Sequence, residues 1–150
     1  MKMIKNMMVG AAVMIAAPMA LTAPAMADEY PLVAGDYVSM SGIFVEDGGS
    51  LAYAEHLAGQ WHKSQEFAKS KGWISDYKIL INVDARDGEP NVYLTTTFPY
   101  IPTNAEGEKR SKEWDAWSKK TNAQMAAESG NRAKFRQLRG SMLLQEYKVR

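Results

Sequence analysis

The chain carries two kinds of hydrophobic pattern after residue 36. Residues 50–71 place apolar side chains three or four positions apart, so that they form one stripe along a helix. A second, charged helix is predicted over residues 104–128. Strands are predicted where β-branched and aromatic residues are dense, at residues 37–45, 73–83, 91–98 and 140–149. The predicted order is therefore strand, helix, strand, strand, helix, strand.

Capping residues delimit the second helix. Thr103 and Glu106 have the spacing of a capping box, which satisfies the free backbone N–H groups at a helix start. Gly130 is predicted to end this helix, because glycine is the residue that most readily follows a helix C-terminus. Residues 131–138 are expected to add a short helical piece before the last strand.

This order predicts an α+β fold of the ferredoxin-like βαββαβ type, an antiparallel four-stranded sheet with two helices on one face. The second strand carries apolar residues on both sides, Ile79 and Ile81 on one and Ile74 and Leu80 on the other. An exposed apolar face usually marks an interface, so we predict a homodimer that stacks its two sheets. The alternative is a monomer whose second face is mostly polar. Its polar residues would be Ser39, Ser41, Thr95 and Thr97.

The layout of these segments resembles a known group of proteins. The segments that carry the resemblance are YVSMSGIFV (37–45), HLAGQWHKS (56–64), GWISDYKILINV (72–83), DGEPNVYLTTTF (87–98) and LRGSMLLQEY (138–147). They resemble the dimeric α/β-barrel group of ferredoxin-like proteins, in particular its short exported bacterial members. The wider group includes cofactor-free monooxygenases, haem-degrading enzymes, polyketide cyclases and proteins without known activity. The resemblance therefore implies a dimeric α/β barrel and assigns no catalytic residue.

The N-terminal segment has the three zones of a cleavable signal peptide. Lys2 and Lys5 give it a positive start, residues 7–21 are almost entirely apolar or small, and Ala25-Met26-Ala27 matches the small-x-small pattern of a cleavage site. The apolar run is shorter than the roughly 20 residues of a membrane span. We therefore predict a signal peptide over residues 1–27, removed by cleavage after Ala27. The alternative is an uncleaved N-terminal anchor.

Removal of the signal peptide would leave one domain, residues 28–150, in the periplasm or outside the cell, without a membrane span. Loss of two lysines changes the formal net charge from +1 to about −1. A near-neutral chain lacks the basic surplus that binding to a phosphate backbone requires, so no nucleic acid partner is predicted. The chain has no cysteine, which excludes disulfides, thiolate zinc sites and cysteine nucleophiles.

Both histidines of the chain fall on the first predicted helix. His56 and His62 are six residues apart and project about 120° away from each other, so they cannot bind one metal ion together. No metal site and no cofactor is predicted. His62 shares a face with Glu55 and Glu66 beside Trp61, and a neighbouring carboxylate would orient its imidazole as a general base. The alternative is a surface histidine with ordinary helical partners, and His56 is expected to be solvated.

Four aromatic residues are predicted to line a hydrophobic cavity between the helices and the sheet. These residues are Trp61, Tyr77, Trp114 and Trp117. The alternative for the tryptophans is ordinary core packing of large rings, and strand tyrosines are usually structural.

Basic residues are concentrated just before the last strand. The residues concerned are Arg132, Lys134, Arg136 and Arg139. Such a cluster is typical either of a site for an anion or acidic partner or of a solvated basic helix face.

Two functions remain open at the level of the sequence. The first is an exported homodimer that binds a small, mostly apolar molecule behind Trp61. In one version it also performs cofactor-independent chemistry, with His62 as the proton acceptor. The second is a non-enzymatic module whose sheet face or basic C-terminal segment engages another envelope protein. The first predicts a closed pocket that touches Trp61 and Trp114. The second predicts a monomer, or an open hydrophobic face, without an internal cavity.

Overall fold

The computed structural model describes residues 29–150, and the predicted signal peptide and its cleavage site lie outside them. The elements in chain order are β1 (Leu32–Val45), α1 (Ser50–His56), a π-helical turn (Leu57–Trp61), α2 (His62–Ser70), β2 (Asp76–Ile81), β3 (Val92–Phe98), α3 (Asn104–Ser118), α4 (Asn122–Arg132) and β4 (Arg136–Val149). The predicted α+β class is confirmed. No helix within the described range is long and apolar enough to cross a bilayer.

The four strands form one sheet in the order β2-β3-β1-β4, and every neighbouring pair is antiparallel. The long strands β1 and β4 pair along most of their length, with two irregularities in register. Asn91 extends the pairing of β1 with β3 beyond the strand end. Its Oδ1 accepts the backbone N–H of Val45 at 2.8 Å, and its Nδ2 donates to the Val45 carbonyl at 2.9 Å. The predicted antiparallel four-stranded sheet is thus confirmed.

The buried core lies between α1 and the sheet. Tyr53 and Leu57 are four residues apart, which places them on one side of the helix. They pack against Ile43, Val45 and Val92, and all five side chains are buried. Partly buried side chains around this group are Trp61, Leu94 and Phe135. The first helical region is therefore attached to the sheet mainly through its N-terminal half.

A π-helical turn separates α1 from α2. The helix predicted over residues 50–71 is present as an uninterrupted helical segment that ends at Ser70, but Leu57–Trp61 adopts the wider π geometry. Such a turn rotates the side chains that follow it relative to those before it, and it is frequent at functional sites. His62 is the first residue after the turn.

The second helical region is divided, so the prediction of one helix over residues 104–128 was wrong. Lys119 ends α3 in the left-handed backbone region, with φ of 54°. Thr121 then starts α4 with a capping box. Its Oγ1 accepts the N–H of Gln124 at 3.2 Å, while the Gln124 side chain accepts the N–H of Thr121 at 2.8 Å. These local bonds supply the partners that a helix end otherwise lacks.

The end of this region also differs from the sequence prediction. Gly130 lies inside α4, which continues to Arg132. The helical piece expected over residues 131–138 is absent, because β4 begins at Arg136, opposite Val45 of β1. Antiparallel pairing with β1 supplies hydrogen bonds that outweigh the local helical tendency of these residues.

The sheet face opposite the helices carries a group of apolar side chains together with polar and charged ones such as Asp76, Lys78 and Gln137. Strand alternation and register place on it Val38, Met40, Phe44, Leu80, Tyr93, Met142 and Leu144. Leu80, Met142 and Leu144 are 42%, 50% and 44% exposed. The four polar residues considered for this face divide between the two sides. Thr95 and Thr97 lie on it, whereas Ser39 and Ser41 share the helix side of the sheet with Ile43.

Candidate functional site

His62, Tyr77 and Glu66 form a hydrogen-bonded chain between α2 and β2. His62 and Glu66 are one helical turn apart on α2, and Tyr77 projects from β2 toward them. The Tyr77 hydroxyl lies 2.8 Å from Nδ1 of His62 and donates to Oε1 of Glu66 at 2.6 Å. The carboxylate expected to orient His62 therefore acts through a tyrosine rather than directly.

The protonation state of Tyr77 decides the direction of this chain. The hydrogen bond to Glu66, together with partial burial and the charge of Glu66, raises the pKa of Tyr77 to about 12. The phenol is therefore protonated near neutral pH. Its single proton is directed to the carboxylate, and its oxygen accepts a hydrogen bond from Nδ1–H of His62. A neutral imidazole with its proton on Nδ1 has its lone pair on Nε2, which is the form that accepts a proton from another molecule.

Trp61 holds the Tyr77 ring in place. The two rings meet edge to face, with centroids 5.4 Å apart and an interplanar angle of 82°. Trp61 is half-buried and packs against the core, so it connects Tyr77 to the buried side chains of the domain. The side chain of His62 is exposed.

Trp114 and Trp117 belong to a second group of rings, which we call the aromatic cluster, formed with Phe67 and Trp73. Phe67 of α2 stacks on Trp117 with centroids 4.5 Å apart and meets Trp73 edge-on at 5.4 Å. Trp114 lies 4.9 Å from Trp117 and 6.2 Å from Phe67. The cluster attaches α3 to α2. The four aromatic residues predicted as ligand contacts thus lie in two groups, Trp61 with Tyr77 and Trp114 with Trp117.

An open cleft of about 400 Å³ lies over the sheet beside α2. None of the four aromatic residues predicted as ligand contacts lines it, so it is not the closed pocket predicted to touch Trp61 and Trp114. Its lining includes Ser39, Ala68, Trp73, Ile74, Thr96 and Phe98. Ser39 and Thr96 are paired across β1 and β3 and form a polar floor. Thr96 is also the cross-strand neighbour of Tyr77, so the cleft is one strand away from the hydrogen-bonded chain. Trp73 connects the cleft wall to the aromatic cluster.

The positive charge at the cleft is balanced. Arg110 lines the cleft, and its Nε donates to Oε1 of Glu106 at 3.0 Å while a terminal nitrogen donates to the Tyr100 hydroxyl at 3.0 Å. Hydrogen bonds from Tyr100 and then Arg110 hold the pKa of Glu106 below its usual range. The ion pair is therefore maintained at neutral pH, and the cleft suits an uncharged molecule better than an anion.

Sequence reasoning missed several residues of this site, although a signal for part of it was present. Glu106 and Arg110 are four residues apart on a predicted helix, which is the spacing of a helical ion pair. The predicted capping role of Thr103 is confirmed by its bond to the Glu106 N–H at 3.3 Å. Trp73, in the loop before β2, and Thr96, on β3, come together only through the tertiary fold, which the sequence does not specify.

Trp117 also lines a more polar cleft of about 300 Å³ on the outer side of the helices, where Gln60, Lys63 and Lys120 contribute. Among residues 29–150, no group of three or more His, Asp and Glu side chains is placed to hold a metal ion.

The expectation that His56 is solvated was wrong. Its ring lies 5.9 Å from that of the buried Tyr53, and it is half-buried. Burial first, and the charges of Arg132 and Arg136 next, lower the pKa of His56 below its ordinary value. His56 is three residues after Tyr53 on α1, so it lies beside the buried core and close to the end of α4.

Comparison with known proteins gives little further information. The chain matches no protein-family model and no curated protein. It is similar to the crystal structure of an ethyl tert-butyl ether d (EthD) family protein from Bacillus halodurans C-125. The two are 19% identical, the match covers 73% of this chain and 98% of that chain, and the TM-score is 0.35. A likeness of this extent assigns neither a family nor an activity to the chain.

The hydrogen-bonded chain predicts the tautomer of His62. In long-range ¹H–¹⁵N spectra at about pH 8.5, where a neutral imidazole is favoured, we expect the proton of His62 on Nδ1. Tyr77→Phe removes the acceptor and should move the proton to Nε2, the form that an unconstrained histidine prefers. His56 serves as an internal control and should not change. A wild-type His62 with its proton on Nε2, or one that Tyr77→Phe leaves unaltered, would contradict the assigned direction.

Proposed function

We propose that the protein is an exported domain that binds a small, mostly apolar molecule in the cleft between α2 and the sheet. The observation that carries this proposal is the cleft itself, whose volume of about 400 Å³ lies within the roughly 300–1,000 Å³ of small-molecule sites. Its walls are apolar, its charge is balanced by Glu106, and its floor offers two hydroxyl groups.

The polar floor narrows the class of ligand. The Thr96 hydroxyl donates to the side chain of Gln65 at 3.3 Å, which leaves its oxygen as an acceptor toward the cleft. A ligand with an apolar body and one hydrogen-bond donor, such as a phenol or an indole, matches this arrangement. Trp73 would supply a flat apolar wall, supported from behind by Phe67 and by Trp114 and Trp117.

The proposal assigns His62 the role of proton acceptor in a cofactor-independent reaction on such a ligand. A molecule that extends from Thr96 across the Tyr77 ring would approach the side of α2 that carries His62. Trp61 and Tyr77 would then contact the ligand, and Nε2 of His62 would take the proton of its acidic group. Tyr77 and Glu66 would stabilise the resulting imidazolium through Nδ1.

Export is supported by the N-terminal segment. The charged start, the apolar stretch and the Ala25-Met26-Ala27 motif together favour cleavage after Ala27 and a periplasmic or secreted product.

We also propose that the domain is a ferredoxin-like subunit that pairs with a second copy through its open sheet face, as in a dimeric α/β barrel. The exposed apolar residues of that face support this pairing, since contiguous apolar surface of this kind is typical of interfaces. The near-neutral charge of the exported chain opposes self-association only weakly.

The alternative function is a non-enzymatic interaction module. It is favoured by β4, an edge strand that also exposes Leu138 and Leu143 on its helix side. An apolar edge strand is suited to accept a strand or an apolar surface of another protein. Under this alternative the protein is a monomer, and the cleft takes no small molecule.

Binding in the cleft is tested by thermal unfolding with 1-naphthol as the probe. A ligand at one hundred times its dissociation constant stabilises a protein by about 2.7 kcal/mol, which corresponds to a rise in Tm of roughly 10 °C for a domain of this size. We expect such a rise for the wild type. Ala68→Leu, which fills the cleft, should abolish it, and Thr96→Val should reduce it by removing the acceptor.

The matched control is Ala58→Leu, which adds the same atoms to an exposed alanine of the same helical segment. It should respond to 1-naphthol like the wild type. Equal stabilisation of the Ala68→Leu and wild-type proteins would place the probe elsewhere. No stabilisation of the wild type by 1-naphthol or by related phenols and indoles would favour the interaction module.

The pairing through the open face is tested by Met142→Lys, measured as molar mass by light scattering. A buried lysine at the centre of a sheet-to-sheet interface should convert a dimer into a monomer, because an unpaired charge is costly to bury. Leu51→Lys is the matched control, on a leucine of α1 that is 72% exposed, and should remain dimeric. A wild type that is monomeric, or a Met142→Lys variant that stays dimeric, would refute this mode of pairing.

A further inference from the structure

Two arginines meet at the junction of α4 and β4, away from the cleft. Arg132 is the last residue of α4, and Arg136 is the first residue of β4. Arg136 is paired with Val45 of β1, which places its side chain on the helix side of the sheet. Arg136 therefore lies on the same side of the sheet as Tyr53. The Tyr53 ring packs against Phe135, which lies between the two arginines in the sequence.

Neither arginine has a partner that balances its charge. Within residues 29–150 neither forms an ion pair, and Nε of each is buried without a hydrogen-bond partner. The negative charge of Glu128 acts on Arg132 from a distance. Both carboxylate oxygens of Glu128 accept hydrogen bonds from Nζ of Lys120, at 2.6 and 2.8 Å. A partly buried guanidinium with unsatisfied N–H groups is unfavourable unless an acceptor is supplied.

The uncompensated charge of the two arginines alters the pKa values of nearby groups. Burial and then the neighbouring Arg136 lower the pKa of Arg132, and the same two arginines contribute to the lowered pKa of His56. The arrangement therefore combines two adjacent cations and a neutral histidine in one partly desolvated region.

We propose that Arg132 and Arg136 form a binding site for an oxyanion, a carboxylate or a phosphate, with His56 at its edge. The planar guanidinium fork donates two parallel hydrogen bonds to either group, and two forks together balance up to two negative charges. The dipole at the C-terminus of α4 stabilises the positive charge of Arg132.

The structure also separates these two arginines from the other basic residues of the segment. Arg139 lies on the opposite face of the sheet, where its guanidinium is 5.3 Å from the centroid of the Phe44 ring. Lys134 is exposed at the surface. Only Arg132 and Arg136 of the four basic residues predicted as an anion-binding segment are thus brought together.

Titration of the purified protein with inorganic phosphate and with acetate, at ionic strength kept constant with sodium chloride, tests the site. We expect saturable shifts of the Nε–Hε signals of Arg132 and Arg136 in ¹H–¹⁵N spectra. Arg132→Gln and Arg136→Gln should each weaken anion binding at least tenfold, the effect of losing about 1.4 kcal/mol. Arg136→Lys keeps the charge and should still weaken binding, because lysine lacks the planar fork.

Arg139→Gln is the matched control and should bind the anions like the wild type. A response to phosphate alone identifies a phosphate site, and a response to acetate alone identifies a carboxylate site. Absence of saturable shifts with both anions would overturn the proposal, even if the arginine variants fold poorly, because that readout uses the wild-type protein. Equal loss of binding in Arg139→Gln would reduce the effect to general surface charge and would overturn it as well.

His56 offers a second readout in the same titration. Its pKa should rise toward the ordinary value when an anion neutralises the arginines, because part of its depression comes from their charge. The charged groups that face His56 are Arg132, Arg136, Lys120 and Glu128. A pKa of His56 that is unchanged at saturating anion would place the anion away from this region and contradict the proposed geometry.

Discussion

The packing of Tyr53 and Leu57 on Ile43, Val45 and Val92 is the contact on which the rest of the domain depends. It attaches the first helical region to the sheet over α1. Beyond the π-helical turn, α2 contacts the sheet through polar groups such as Tyr77 and Thr96. The aromatic cluster attaches α3 to α2. The same narrow core therefore leaves room for a cleft on one side of the sheet, and within residues 29–150 no element covers the other side. A domain with so few buried apolar side chains has a limited hydrophobic contribution to stability.

Most elements of the fold could be predicted from local sequence patterns, although the second helix and the piece after it were predicted wrongly, and the site could be predicted only in part. The strands and the first helix follow from periodicity and β-branched residues, which are local properties. The division of the second helix was signalled by the Thr121–Gln124 capping box, but a left-handed lysine such as Lys119 has no local signature. His62 and Glu66 were recognisable as helical neighbours. The hydroxyl that connects them comes from Tyr77 on another element, and only sheet register brings it there.

The two proposed sites use different physical means at separate places on the helix side of the sheet. In the cleft, each charge is already balanced, and recognition would rest on apolar walls and a hydroxyl floor. At the junction of α4 and β4, two arginine charges are not balanced, and recognition would rest on electrostatic attraction and bidentate hydrogen bonds. The hydrogen-bonded chain at His62 lies near the cleft, while His56 lies near the two arginines. The π-helical turn between the histidines helps to direct their side chains to these separate environments.

The apolar side chains on the sheet face opposite the helices allow a direct test of whether a second copy covers that face. If a second copy covers this face, association and folding are linked, and stability depends on protein concentration. Urea unfolding of the purified protein should be measured at about 2 μM and about 200 μM. The free energy of unfolding of a dimer whose association is linked to folding rises by roughly RT per natural-log unit of protein concentration. The account predicts a higher unfolding midpoint at the higher concentration. Identical midpoints, together with an unchanged dependence on urea, would show that one copy is stable with its apolar face in water and would contradict the account.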